Sequence, residues 1–188
     1  MSPEGPDRLF TIQEAVREYL AGIEQTGQVF ALGALHLAAS PIDVLARLTI
    51  DAKNDLARYQ GFVEEYFPQE YTDGALPPRL YQGLRNLGLH NLSVGRSLAL
   101  VAGQDCSAHL RIDTKGRTIT RLQEFLEDLR SAVMSWEHSL QQGEALRSRV
   151  VERERRKPVF EVLMIFVPEG QAVVSTTVAA SATTHPIR

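Results

Sequence analysis

Apolar residues recur at helical spacing over most of the first 95 positions. Ile12, Val16, Tyr19, Leu20 and Ile23 fall three or four apart, and Thr11 with Glu14 forms a T-x-x-E capping box ahead of them. This predicts a first helix from about Thr11 to Gly27. Val29 to Ala39, VFALGALHLAA, is too uniformly apolar to show a face and predicts a close-packed buried helix. Ser40 and Pro41 then read as the N-cap and first position of a long helix reaching Phe67, striped by Val44, Leu45, Leu48, Leu56, Tyr59 and Val63. Pro68 stops it.

Residues 68–78, PQEYTDGALPP, have loop composition, and another helix is predicted from about Pro78 into the run Asn91 to Gly95. The period changes after that. Ser97–Ala102 reads as a strand, as does His109–Asp113, with Thr114-Lys115-Gly116 as a turn and Arg117–Ile119 as the return. A second capping box at Thr120 and Gln123 opens an amphipathic helix carrying Leu122, Phe125, Leu126, Leu129, Val133, Trp136 and Leu140. It continues, with a break at Gly143, to Arg156. Val159–Val167 and QAVVSTTVAA, joined by Pro168-Glu169-Gly170, read as two further strands before a tail at 181–188.

The expected architecture is mainly α, a helical bundle with a small antiparallel β-sheet from residues about 97–119 and a C-terminal strand pair, an α+β chain. Residues 1–157 form the helical domain with an inserted β-hairpin. Residues 158–188 are strands and tail, packed on the same domain or on a neighbouring subunit. A chain of 188 residues can bury about 70% of its unfolded surface, enough for a full core. The net charge of −3 gives no global attraction to nucleic acid or membrane, so an anionic partner needs a local basic patch. Cys106 is the single cysteine, which excludes an internal disulfide and fits a reducing compartment. With a polar, proline-rich start and no apolar run read as long enough to span a bilayer, the expected location is cytoplasmic.

Chemistry concentrates in Leu80–Ser93, LYQGLRNLGLHNLS. Asn86 and His90 are i and i+4 and share a helical face, so Asn86 can orient the imidazole or bind the same phosphate. Arg85 and His90 are five apart, roughly 140° around an unbroken α-helix. Their convergence therefore requires a break near Gly88 or a second copy of the chain. The R-N-x-x-x-H pattern of Arg85, Asn86 and His90 resembles the motif of HEPN domains. That resemblance implies an α-helical bundle, metal-independent cleavage of RNA in a toxin or defence setting, no cofactor, and a site composed at a homodimer interface, with an antitoxin or other protein as partner. It rests on about six residues. The residue types suit such chemistry: a histidine exchanges protons near neutrality, and a guanidinium fork matches a crowded phosphate.

The alternative is a non-catalytic interaction or assembly protein of helical fold. Arg85 would then pair with Glu64 or Glu65, and His90 would cap a helix end. Three other features are weaker. Cys106 with His109 hints at a nucleophile pair, although no third, orienting group is identifiable. The run Arg147, Arg149, Arg153, Arg155, Arg156 and Lys157 can track an RNA backbone, but interleaved glutamates favour a solvated helix end. Glu124, Glu127 and Asp128 read as helix surface.

Overall fold

The computed structural model describes residues 6–72, 76–88, 97–101 and 109–158. Most of these are helical. Helix α1 spans Pro6–Val29, α2 Ala31–Thr49 and α3 Asp55–Tyr66. A 3-10 turn at Gln69–Tyr71 precedes the short α4, Leu76–Leu80, which runs directly into a π-helical segment, Tyr81–Gly88. Strands β1, Leu98–Val101, and β2, Thr118–Arg121, form a two-stranded sheet, followed by α5, Leu122–Gln142, and α6, Glu144–Arg156. The strands expected after Pro158 lie outside the described residues.

Helix α2 is the centre of the bundle. It touches α1, α3, the π segment, α5 and α6, and buries eleven residues from Ala34 to Thr49. Its length and composition would allow it to cross a membrane, contrary to the expectation that no run is long enough. Yet 56% of it is buried inside this fold, as befits a central helix. Against it pack the stripes expected on its neighbours: Ile12, Val16 and Ile23 of α1, Tyr59, Phe62 and Val63 of α3, and Leu122, Phe125, Leu129, Val133, Trp136 and Leu140 of α5.

Several expected boundaries move. The helix does not restart at Ser40: α2 passes straight through Pro41. The lost N–H is tolerated because burial of Ala38, Ala39, Pro41 and Ile42 favours an uninterrupted rod. The real interruption comes at Ile50–Asn54, where the Asn54 side chain accepts the Ala57 N–H (2.8 Å) and starts α3. Neither capping box forms. Helix α1 is already under way from Pro6, with Thr11 and Glu14 inside it, and α5 starts at Leu122 with no side-chain cap while Thr120 is buried in β2. The break at Gly143 and the stop before Pro158 are where the sequence puts them.

The sheet is parallel, not antiparallel: Leu98 pairs with Thr118 and Val101 with Arg121. The expected turn nevertheless exists. Asp113 Oδ1 accepts the N–H groups of Lys115 and Arg117, and Gly116 takes φ +75°, which suits a residue without Cβ. Its first arm keeps one antiparallel bridge, Ile112 to Thr118. That arm is antiparallel to β2, and β2 lies beside β1 running the same way.

The basic run on α6 belongs to the fold. Arg149 Nη1 donates to Thr49 O (3.0 Å), and Arg153 Nη1 donates to Arg47 O (3.0 Å) and Ile50 O (2.7 Å), at the C-terminus of α2. Arg147 does the same for α5, at Leu140 O and Gln141 O. Arg155 and Arg156, paired with Glu152, and the exposed Lys157 match the solvated reading. Charged donors on helix-terminal carbonyls satisfy acceptors the helix itself cannot. Arg153→Ala is expected to cost about 2 kcal/mol by denaturant unfolding, and Arg155→Ala less than about 0.5 kcal/mol. Equal effects would remove the distinction.

Candidate functional site

Of the residues singled out in the sequence, Arg85 and Asn86 lie side by side on the π-helical segment, and His90 lies outside the described residues. The segment is held from beneath. Tyr81 meets Tyr59 of α3 edge to face, ring centroids 5.3 Å apart at 70°, and Leu84 is fully buried. Its winding alters the angular argument. With hydrogen bonds to the fifth residue along, a π-helix turns by roughly 80–90° per residue instead of 100°. Within such a winding, residues five apart come to within about 40–90° of one face, against roughly 140° in an α-helix, and the described segment ends at Gly88.

A second constellation comes from three separate places in the chain. Tyr71 sits on the 3-10 turn, His109 ahead of the Asp113 turn, and Asp128 on the second turn of α5. The Tyr71 hydroxyl donates to Asp128 Oδ2 (2.8 Å) and lies 2.9 Å from His109 Nε2, which is 3.5 Å from the same carboxylate oxygen. The backbone N–H of Arg121 donates to His109 Nδ1 (3.0 Å). Because Nδ1 is an acceptor, the neutral ring carries its proton on Nε2 and gives it to the tyrosine oxygen. The chain of donors therefore runs His109, Tyr71, Asp128.

This arrangement limits what His109 can do. Neither ring nitrogen offers a free lone pair, so the imidazole is a fixed donor and not a base for Cys106, which lies outside the described residues. The orienting groups the sequence did not reveal are Tyr71 and Asp128. Asp128 directly precedes the core position Leu129 on α5, and that place at the edge of the apolar stripe was the available signal. Next to the histidine, Leu110 adopts φ +63°, a left-handed conformation costly for a bulky residue. It is held there by Leu110 N–H to Ile119 O and Ile119 N–H to Arg111 O, both 2.8 Å. The cluster thus clamps a strained turn onto α5.

Burial, then the neighbouring Asp128 charge, pushes the Tyr71 phenol far above its ordinary range. Burial does the same at Tyr59 and Tyr66.

Compared with known protein families, with curated proteins and with solved structures, the chain gives no match.

Two outcomes are expected. Tyr71→Phe, which leaves Asp128 and His109 without their bridge, should cost about 1–2 kcal/mol in denaturant unfolding, and an unchanged midpoint would show that the cluster carries no stability. The second concerns alkaline pH. A phenol whose folded pKa is raised stabilises the fold below its unfolded value of about 10, and that contribution is lost as pH rises beyond it. The thermal midpoint should therefore fall above about pH 10, and the tyrosinate absorbance of Tyr59, Tyr66 and Tyr71 should appear only with unfolding. Ionisation of all tyrosines in the folded protein would contradict this.

Proposed function

We propose that the protein is a metal-independent endoribonuclease of HEPN type, acting as a homodimer. His90 is its general acid and base, Arg85 stabilises the charge that builds on the phosphate, and Asn86 positions the imidazole or the substrate. The observation that carries this reading is the adjacency of Arg85 and Asn86 on a π-wound segment of a mainly helical bundle. Such windings recur at functional sites, and Arg85 and Asn86 lie within this one, which ends at Gly88.

In the reaction so assigned, His90 takes the proton of a ribose 2′-hydroxyl, whose oxygen attacks the adjacent phosphorus. The bond from phosphorus to the 5′-oxygen breaks, and that oxygen takes up a proton. The products are a 2′,3′-cyclic phosphate and a 5′-hydroxyl. Arg85 contributes where the equatorial oxygens gain charge.

A non-catalytic assembly protein is the second reading. It draws on Val29 and Phe30, which stand 86% and 55% exposed at the junction of α1 and α2.

Incubating single-stranded RNA with the protein and a chelator decides between them. Cyclic-phosphate ends are expected, with cleavage lowered about 100-fold or more by Arg85→Ala or His90→Ala at unchanged helicity. Cleavage that survives both substitutions, or no cleavage by the unaltered chain, would sink the ribonuclease reading.

A further inference from the structure

A cavity of about 460 Å³ opens where α1, the start of α2, β1 and the first half of α5 meet. Its floor is apolar, made chiefly by Val101, Leu122 and Leu126. Its length follows from the helix that forms one wall. Arg121 and Arg130 bracket it nine residues apart, about 13 Å at 1.5 Å per residue. The volume lies in the range of small-molecule sites, and the apolar part of the lining, Val101, Leu122 and Leu126, suits a ligand with an apolar body.

The charges around the mouth do not balance. Arg130 is paired with Glu24, and Arg121 with Glu124. The remaining carboxylate, Glu127, accepts only the neutral amide of Gln123 (3.1 Å) and has no cationic partner among the described residues. Among the described residues, three carboxylates against two guanidinia leave one negative charge. An anionic ligand would have to compete with glutamates already seated on both arginines. A neutral one would leave Glu127 as it is.

We propose that this cavity binds a small amphiphilic monocation, an ammonium or amidinium group on an apolar body. The body lies on Val101, Leu122 and Leu126, and the cation faces Glu127.

Titration calorimetry with 2-phenylethylamine, protonated at neutral pH, tests it against two molecules of the same shape: neutral 2-phenylethanol and anionic phenylacetate. The amine is expected to bind and the other two to bind about two- to fivefold more weakly, the scale of one solvent-exposed charge pair. Glu127→Gln should weaken the amine by a similar factor, and Glu127→Lys should abolish its binding. Glu127 is exposed on a helix, so both variants should keep the parent's thermal midpoint to within a few degrees. An alcohol that binds as tightly as the amine, a Glu127→Gln variant that binds it unchanged, or no binding of the amine at all would each overturn the proposal. RNA cleavage, measured alongside, is expected to be unchanged in Glu127→Gln, which keeps this site separable from the ribonuclease reading.

Discussion

The last turn of α2 presents carbonyl oxygens at Arg47, Thr49 and Ile50 beyond the reach of further helical N–H groups, at a partly buried end of the bundle. Arg149 and Arg153 of α6 supply the missing donors, and Trp136 of α5 gives its indole N–H to the Thr49 hydroxyl (2.9 Å). Helix α2 and the two consecutive helices α5 and α6, which follow much later in the chain, therefore meet at one helix end. The body of α2 packs through an apolar stripe that includes Ala34, Leu35, Ala38, Ile42 and Leu45. The polar contacts at its C-terminus fix which way α5 and α6 are set on it.

From that fixed helix the rest follows by contact. The π segment lies against α2 and, through Tyr81, against Tyr59 of α3, so Arg85 and Asn86 are carried on a support that is itself buried. Helix α5, set by Trp136 at its middle, brings Asp128 to Tyr71 and His109 near its start. That contact ties the strained turn after His109 to the bundle. The cavity beside the N-terminal half of α5 is what remains where α1, β1 and α5 diverge.

Much of this was legible as pattern, and the failures have specific causes. The apolar stripes of α1, α3 and α5 identify the core because a half-buried helix must repeat near 3.6 residues. The restart at Pro41 was misplaced because local proline chemistry was read without the tertiary burial that overrides it. Asn54, the cap that does start a helix, was hidden by a stripe that continues across the break from Leu48 to Leu56. Strand direction was misjudged because pairing depends on how many times the chain reverses, which no local signal records. The arginines of α6 looked solvated because their acceptors are main-chain carbonyls about a hundred residues earlier, invisible to charge patterning. Tyr71, His109 and Asp128 are likewise joined only by the fold. Arg85, Asn86 and His90 were legible as a motif, whereas the π winding at Arg85 and Asn86 was not.

Native-state hydrogen exchange at the C-terminal end of α2 tests the dependence on that helix end most directly. The N–H of Ile50, bonded to Ala46 O (2.9 Å), would be among the first to exchange if the helix simply frayed. With its carbonyls held by α6, Ile50 and the preceding turn should exchange only through global unfolding, at the same free energy as the centre of α5 around Trp136. Fast exchange at Ile50 while the amides around Trp136 remain protected would contradict the account.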